Sequence, residues 1–484
     1  MKKTRSQRGP RGTGGQPSRR PRSPGAGWAA RPPHRSPASV DQPMQPLQPL
    51  QIEALSHDGR GIGRVDGKAC FVRGALPGEQ VSWRRESSQR NFDQGSVVEV
   101  LVPSPQRQPP GCEYYPRCGG CSLRHLDAGA ALAYKQQNFI ADIERAGLSV
   151  EQWLAPLQGG SDGYRRRARL AVQKTRDGRV ELGFRNAASR RIEPLQHCRV
   201  LTPLLSALLG ELPSLLAAIA LGVVEVELTE SDGAEPVLLV ALSAAPGELL
   251  NDSGAARLES AGATIAAALS LSPAQLQLWW RDHGERDFRP LGAASTAHIA
   301  LSQQLLLACR PGQFLQVNGA VNRAMVEQVL ALAGGGELAV DLFAGVGNFS
   351  LPLARRYRRV IAVEGLPELV ASGAANAAAN GIDNIEFHCA DLNRPLPKTL
   401  LDAPRRERID LLLIDPPRSG AAAAMDWIGA TQAKQILYIS CHPATLLRDA
   451  GQLLAAGYRW RRAVALDMFP HTAHLEALAL FERD

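Results

Sequence analysis

Two short segments near the C-terminus carry residue types that make and break covalent bonds. Residues 439–445 contain Cys441, and residues 469–476 end in Glu476. A cysteine thiolate is a nucleophile, and a carboxylate can accept a proton. Together they suit substitution at a pyrimidine carbon that is not itself nucleophilic, because the ring must first take up a thiolate and later lose a proton. We therefore predict Cys441 as a nucleophile and Glu476 as a base.

Both residues also have an ordinary structural interpretation. A lone cysteine is most often a buried core residue, and Glu476, near His471 and His474, can form a surface ion pair. The apolar run 436–439 predicts a strand that ends just before Cys441. Ligands of α/β sheets bind at the ends of strands, so this context favours the functional interpretation.

A glycine-containing loop further upstream predicts a cofactor site. Residues 341–349 follow an apolar run and include Gly345 and Gly347, which let the backbone approach a ligand closely. Glu364 ends the next apolar run, where an acid can bind both hydroxyls of a ribose. A tight turn would explain the glycines alone. Their spacing from Asp341, D-x-x-x-G-x-G, resembles motif I of S-adenosylmethionine (SAM) methyltransferases.

Two further acidic residues follow predicted strands. Asp391 stands where an acid can meet an adenine amino group, and a helix N-cap is an equal interpretation. Asp415 begins the tetrapeptide Asp-Pro-Pro-Arg, in which Arg418 replaces the base-stacking aromatic of amino methyltransferases. This replacement argues against methylation of an exocyclic amine. It leaves Asp415 available to bond a uracil edge or the cofactor.

These residues need a scaffold that brings strand ends together, and the C-terminal sequence predicts one. From about residue 310, short apolar runs alternate with helical stretches, which implies a largely parallel, doubly wound α/β sheet. Such sheets bind ligands at the carboxyl ends of their strands. The predicted strands are 338–343, 360–363, 385–388, 411–414 and 436–439.

The N-terminal part follows another pattern. Several short strands within about sixty residues, with a hairpin turn at Asp66-Gly67, predict a small β-barrel of the OB type. The predicted strands are 51–55, 61–65, 68–72, 80–83 and 96–102. We therefore divide the chain into a basic tail at 1–45, a barrel at 46–104, a central α+β domain at 105–309 and a catalytic α/β domain at 310–484.

Four of the eight cysteines predict a metal site. In a chain of intracellular type, so many cysteines argue for metal binding or catalysis over disulfides. Four thiolates suit either zinc or a [4Fe–4S] cluster. A compact triplet with one distant fourth ligand favours the iron–sulfur cluster, and we expect Cys70, Cys309 and Cys389 to be structural. The predicted ligands are Cys112, Cys118, Cys121 and Cys198.

The net charge of +8 belongs to one end of the chain. Residues 1–45 hold ten Lys or Arg and one acid, a charge of +9, so the remainder sums to −1. We expect this tail to be disordered, and either to add salt-sensitive affinity for nucleic acid or only to solubilise the protein. Residues 164–191 carry ten Lys or Arg against two acids. This density predicts contact with RNA phosphates, with a solvated strand face as the alternative.

The order of these features resembles one enzyme family. Residues 313–318 (Gln-Phe-Leu-Gln-Val-Asn), the motif I loop, Asp415, Cys441 and Glu476 succeed one another as in RNA (uracil-5-)-methyltransferases. The four cysteines and residues 163–170 (Gly-Tyr-Arg-Arg-Arg-Ala-Arg-Leu) are similar to the bacterial 23S rRNA members of that family. The resemblance covers nearly everything except the tail.

The resemblance implies methylation of C5 of a flipped-out uridine in 23S rRNA, with Cys441 adding to C6 and Glu476 removing the C5 proton. It implies a TRAM domain for the barrel, a [4Fe–4S] cluster on the four cysteines, and residues 124–155 packed on the catalytic domain. It also implies a cytoplasmic monomer that acts on RNA rather than on DNA or a membrane. Phe314 would stack on a base or belong to the core. The implied SAM-binding residues are Gln316, Phe343, Asn348, Glu364, Asp391 and Asp415.

One residue departs from the family pattern, and two alternative functions stay open. His442 follows the nucleophile where the family commonly has Asn, which changes the hydrogen bonding expected at the thiol. One alternative is a uridine in another rRNA or in tRNA, against which the four cysteines argue. The other is a non-catalytic iron–sulfur RNA-binding assembly factor, against which Cys441, Glu476 and the SAM loop argue.

Overall fold

The computed structural model describes residues 49–219, 221–233, 235–294, 296–301, 304–394 and 408–483. The predicted basic tail at 1–45 lies outside these residues. The described residues all belong to one unit of contacts, Leu47–Asp484. Among them, no helix has the length and apolar character needed to cross a membrane.

The first described element is a closed five-stranded barrel, as predicted. Asp66 and Gly67 both have positive φ, 49° and 80°, which is the conformation that a type I′ hairpin turn requires. Cys70, Val72 and Trp83 fill the interior. The barrel strands are β1 (Pro49–Leu55), β2 (Gly61–Val65), β3 (Lys68–Arg73), β4 (Gln80–Ser88) and β5 (Phe92–Val102), in the order β1-β2-β3-β5-β4.

A helix and a short strand follow the barrel. Helix α1 (Ala128–Arg145) is capped by Asp127, whose carboxylate accepts the backbone N–H of Ala130. Its apolar face, including Phe139, packs into the same hydrophobic cluster as the catalytic strands. Strand β6 (Gln152–Trp153) pairs in parallel with the edge of the catalytic sheet. This part of the chain therefore packs on a domain that lies much later in the sequence.

The central part is a seven-stranded sheet covered by two helices. A turn at Asp177-Gly178 joins the first two strands of this sheet, and Gly178 has φ +86°. The strands are β7 (Arg167–Lys174), β8 (Val180–Arg185), β9 (Ile192–Pro194), β10 (Val223–Glu230), β11 (Leu238–Ala244), β12 (Leu276–Arg281) and β13 (Arg289–Pro290), in the order β13-β12-β11-β10-β7-β8-β9. The helices are α2 (Pro203–Ala217) and α3 (Asp252–Ala268), and a separate hairpin follows, β14 (Ala297–Ala300) with β15 (Leu306–Cys309).

The C-terminal part is the predicted doubly wound sheet, and all five predicted strands are present. The chain winds to one side after the first strand and then crosses to the other, so the topological switch lies between β16 and β19. The strands are β16 (Gly336–Leu342), β17 (Tyr357–Glu364), β18 (Ile385–Cys389), β19 (Leu411–Ile414), β20 (Gln435–Ser440), β21 (Arg459–Leu466) and β22 (Glu476–Glu482). The helices are α4 (Gly319–Ala333), α5 (Ser350–Ala354), α6 (Pro367–Ala379), α7 (Met425–Thr431) and α8 (Pro443–Ala455).

The strand order positions the site. The sheet runs β18-β17-β16-β19-β20-β22-β21-β6, and β22 is antiparallel to both of its neighbours. The amino end of β22 therefore lies at the same edge as the carboxyl ends of β16 to β20. Ligands of open α/β sheets bind at this edge, beside the switch point.

Candidate active site

The predicted nucleophile and base meet across two neighbouring strands. Cys441 directly follows β20, and Glu476 is the first residue of β22. The antiparallel register pairs Ser440 with Ala477. Cys441 follows Ser440 and Glu476 precedes Ala477, so the two residues lie beside each other at this end of the sheet, and Glu476 raises the pKa of the Cys441 thiol. Two residues that are 35 positions apart thus share one end of the sheet.

Glu476 is a buried carboxyl group without a fixed partner. Its relative exposure is 6%, and Oε2 has no hydrogen-bond partner among the described residues. Burial raises its pKa to about 7, and Arg418 opposes this rise. A carboxyl group that is half-ionised near neutral pH can accept a proton during a reaction.

The surroundings of Cys441 shift the pKa of its thiol upwards. Burial raises this pKa, Glu476 and Asp415 raise it further, and Arg418 lowers it. His442 occupies the N-cap position, and its backbone N–H donates to Ser440 Oγ over 3.1 Å. The cation at this thiol is therefore Arg418, which follows β19.

Two adjoining cavities lie at this edge of the sheet, and Cys441 lines the first of them. A cavity of about 670 Å³ lies between the barrel, α1 and the catalytic sheet, and its wall includes Cys441, Lys135 and Arg418. A second cavity of about 840 Å³ shares Arg418 with the first and extends along Arg165 and Phe314. Phe314 is 68% exposed, so the core interpretation of this residue is wrong.

The motif I loop forms a cradle at the switch point. Phe343, Gly345 and Gly347 have positive φ values of 65°, 56° and 99°. A Cβ atom on Gly347 would lie 2.3 Å from Leu351 Cδ1, so a larger residue would displace Leu351 and would also strain the backbone at φ +99°. Asp341 is fully buried, its Oδ1 has no partner among the described residues, and burial raises its pKa to about 7. The loop thus exposes backbone and holds an unpaired acidic oxygen, which fits a cofactor with amino and hydroxyl groups.

The predicted SAM-binding acids lie at the same sheet edge. Glu364 ends β17, and its carboxylate accepts the backbone N–H groups of Gly345 at 3.0 Å and Gly365 at 2.8 Å. Asp391 follows β18, accepts the N–H of Asn393 and pairs with Arg394. Its turn is compatible with both predicted roles.

The remaining predicted SAM residues border the loop. Asp415 follows β19, its N–H bonds Leu342 O, and burial raises its pKa well above the ordinary value. The Asn348 amide is engaged in two hydrogen bonds with Asn322 on α4. Gln316 is nearly buried in the loop before α4. Five of the six predicted residues thus come from the loops or ends of β16 to β19 at this edge, and Gln316 comes from the loop before α4.

The four predicted metal ligands line one small cavity. Desolvation raises the pKa of Cys118 to about 11 and that of Cys121 to about 12, and the neighbouring thiols contribute to both. Arg124 and Arg165 also line the cavity. Within the described ranges, no group of three or more His, Cys, Asp or Glu residues is arranged to hold a metal ion. The lining cysteines are Cys112, Cys118, Cys121 and Cys198.

Two arginines of the basic segment 164–191 have a structural role that the sequence did not indicate. Arg166 and Arg167 are buried. Arg166 Nη1 pairs with Asp232 over 2.8 Å, and Arg167 Nη2 pairs with Glu227 over 2.8 Å. Both also donate to backbone carbonyls of the 313–318 loop. Arg166 and Arg167 therefore join the central part to the 313–318 loop. At most the other eight of the ten basic residues are left to face solvent.

Known protein families and relatives match most of this chain. The family model "tRNA (Uracil-5-)-methyltransferase" matches residues 301–484, and the TRAM domain model matches residues 47–98. A 23S rRNA (uracil(1939)-C(5))-methyltransferase RlmD from Pseudomonas putida is 42% identical over 91% of this chain and 94% of its own length. The chain belongs to the RlmD family. The RlmD of Pseudomonas aeruginosa is 41% identical over 91% of this chain and 95% of its own length.

A solved structure shares the fold of this RlmD-family chain. The Pyrococcus abyssi tRNA (uracil-54, C5)-methyltransferase, in complex with S-adenosyl-L-homocysteine, superposes with a TM-score of 0.67. It covers 90% of this chain and all of its own length at 21% identity. The barrel is therefore a TRAM domain, and the C-terminal sheet has the fold of SAM methyltransferases.

The buried Glu476 makes stability depend on pH. Its pKa is raised from 4.5 to about 7 in the folded chain, so the folded state retains a proton that the unfolded state releases. The resulting destabilisation begins above the unfolded pKa and is complete above about pH 7. We expect Glu476→Gln to stabilise the protein by roughly 3 kcal/mol at pH 8 and by much less at pH 5. Thermal unfolding at both pH values measures this, with Glu99→Gln, at an exposed barrel position, as the control. An equal gain at both pH values would contradict it.

Proposed function

We propose that this RlmD-family chain methylates C5 of a uridine in 23S rRNA with SAM. The observation that carries the proposal is the pairing of Ser440 with Ala477, which brings Cys441 and Glu476 to the same end of the sheet as the motif I loop. C5 substitution needs both groups on one pyrimidine. The relatives support the substrate, since two of them are named as acting on uracil 1939 of 23S rRNA and align over 91% of the chain.

Each residue then has one task. The target uridine leaves its stack, because neither ring face is reachable inside it, and enters the cavity at Cys441. The thiolate forms a bond with C6, and the electron pair moves to C5, which becomes nucleophilic. Glu476 later takes the proton from C5, the C5–C6 double bond re-forms and the thiolate leaves. Arg418 lowers the pKa of the thiol and so favours the attacking form.

The cofactor site is proposed at the carboxyl edge of the sheet. SAM supplies a methyl group to a carbon nucleophile when it is bound. Glu364 would hold the ribose and Asp391 the adenine amino group, because carboxylates accept hydrogen bonds from both. Gln316, Phe343, Asn348 and Asp415 would complete the site.

Asp391→Asn is expected to raise the KM for SAM about tenfold with little change in kcat, since one charge-assisted hydrogen bond to the cofactor is weakened. Steady-state kinetics at varied SAM concentration measure this. Asp383→Asn is the matched control, because Asp383 is exposed at the opposite end of the same strand, β18. Equal KM values for the two variants would remove Asp391 from the site.

We infer that the four cysteines hold a [4Fe–4S] cluster. The inference is supported by their common cavity and by the arginines that stabilise thiolate charge there. In a cubane each cysteine binds a different iron, so the four thiols need not converge on a single ion. Analysis of iron and acid-labile sulfide in anaerobically purified protein, with zinc measured in parallel, distinguishes a [4Fe–4S] cluster from a zinc ion.

RNA is proposed to bind across the TRAM barrel and the second cavity. His57 from the barrel, Arg165 and Arg185 from the central part, and Arg418 line one continuous surface. Arginines bind phosphates in a salt-dependent manner, and exposed aromatics such as Phe314 stack on bases. The tail at 1–45 would add sequence-independent affinity.

The test is methylation of defined transcripts with radiolabelled SAM. A 23S rRNA fragment spanning uracil 1939 is expected to accept one methyl group, mapped to C5 of that uridine. Transcripts with that uridine replaced by cytidine, a fragment of 16S rRNA and tRNA transcripts are expected to accept none. Preferential labelling of a tRNA or of 16S rRNA would overturn the proposed target and leave the chemistry intact.

A further inference from the structure

The loop that leads into Glu476 is bonded to several earlier parts of the chain, and three of these ties involve the side chain or loop of Lys135, Ser122 and Tyr164. Residues 467–475, here called the base loop, connect β21 to β22. We propose that Lys135, Ser122 and Tyr164 are positioning residues, which hold the base loop so that Glu476 reaches the C5 proton. This inference rests on the proposed role of Glu476 as the base and assigns the residues that place it.

The first tie is a buried ion pair. Lys135 Nζ on α1 lies 2.8 Å from Asp467 Oδ1, and the two side chains are 3% and 4% exposed. The same ammonium group donates to Phe469 O over 3.4 Å. Removing one member of a buried pair leaves an uncompensated charge, so α1 and the start of the base loop are strongly coupled.

The second tie comes from the cysteine loop. The backbone N–H groups of Ser122 and Leu123 donate to His471 O over 3.0 and 2.9 Å. Ser122 Oγ accepts the N–H of Ala473 over 3.1 Å. His471 has φ +62°, an unfavourable conformation for a residue other than glycine, which persists only where the surroundings fix it. These bonds immediately follow Cys121, so the cysteine loop holds the strained turn.

The third tie is a single side-chain bond. The Tyr164 hydroxyl donates to Pro470 O over 3.2 Å. Its phenol reaches the base loop from the segment that precedes β7. The base loop is therefore bonded at Asp467, Phe469, Pro470, His471 and Ala473.

These ties matter because the side chain of Glu476 is not held by bonds of its own. Oε2 has no hydrogen-bond partner within the described part of the chain. Its location therefore depends on the backbone, and the last tied residue, Ala473, lies only three residues earlier. Displacement of a reacting group by about 1 Å can cost about 100-fold in rate. Loosening the base loop should thus slow proton removal and leave thiolate addition and methyl transfer largely unchanged.

The experiment measures how the covalent intermediate partitions. A single turnover on uridine-containing 23S rRNA fragment is quenched with denaturant, and the methylated protein–RNA adduct and the released product are quantified over time. The double variant Ser122→Ala/Tyr164→Phe removes two side-chain bonds to the base loop. We expect about tenfold slower decay of the adduct with its formation rate nearly unchanged. Lys135→Met is expected to slow the decay further.

The matched control is Ser231→Ala/Tyr357→Phe. Ser231 Oγ also accepts a backbone N–H, from Val237, and the Tyr357 hydroxyl also donates to a carbonyl, of Ala333. Neither touches the base loop, so adduct decay should match the wild type at similar thermal stability.

Two outcomes separate this inference from the proposed function. If Glu476→Gln accumulates the adduct but the adduct of the double variant decays at the rate of its control, the positioning role is overturned. The assignment of Glu476 as the base then still holds. If Glu476→Gln accumulates no adduct while methylation proceeds, the base assignment itself fails. A parallel fall in adduct formation and decay in the double variant would indicate general destabilisation and would also overturn the positioning role.

Discussion

Cys441→Ala is expected to lower the rate of methyl transfer to 23S rRNA by at least about 1000-fold, because C5 is not nucleophilic until a thiolate adds to C6. The thiol lies at the end of β20 in the cavity proposed for the uridine. Initial rates with radiolabelled SAM measure the loss. Binding of SAM and of RNA should stay within a few-fold of the wild type.

Cys70→Ala is the control for this substitution. Cys70 is buried in the barrel, away from the sheet edge, so its loss removes a thiol and leaves the chemistry intact. If Cys441→Ala kept a tenth or more of the wild-type rate, covalent activation by this residue would be ruled out.

Glu476→Gln is expected to trap the reaction after methyl transfer. Glutamine has the size of glutamate and cannot take the C5 proton, so the thiolate cannot leave and the methylated adduct accumulates on ordinary uridine. A general base contributes about 100- to 10,000-fold, and turnover should fall within that range. Denaturing gel electrophoresis with labelled RNA measures the adduct, and repetition with SAM labelled in the methyl group shows that it carries the methyl.

The conservative variant Glu476→Asp shows whether placement matters. It retains the carboxylate one methylene shorter, and we expect intermediate turnover with a transient adduct. If Glu476→Gln formed no adduct and still released product at the wild-type rate, another group would have to remove the proton.

The elements of this fold were predictable because local chemistry and tertiary structure agree. The turn at Asp66-Gly67 needs two positive φ values that these residues tolerate, so it appears as predicted. Most of the short apolar runs of the C-terminal part are buried parallel strands, which read as continuous hydrophobic sequence. Cys441 was predicted as a site residue from the strand that ends just before it, whereas β22, which begins at Glu476, was not among the predicted strands.

Contacts between residues that lie far apart in the chain were not predictable from local sequence. Nothing near Lys135 indicates that it meets Asp467, 332 positions later. Arg166 and Arg167 are buried because they pair with Asp232 and Glu227. The spacing of basic residues alone does not reveal these partners, so it predicted RNA contact for the whole segment. The raised pKa of Cys441 has the same origin, since Asp415 and Glu476 reach it from other strands. Arg418 was noted only as the residue that replaces an aromatic, although its place after β19 indicated a site contact.

The most direct test of the central claim uses RNA with 5-fluorouridine at the target position. Fluorine at C5 leaves no proton to remove, so the wild-type protein with SAM should form a stable adduct. Digestion and mass spectrometry are expected to find the methylated fluorouridine joined to the peptide that contains Cys441. Methylation of ordinary 23S rRNA by the same preparation without any adduct on the fluorinated RNA, or an adduct at another residue, would contradict the mechanism.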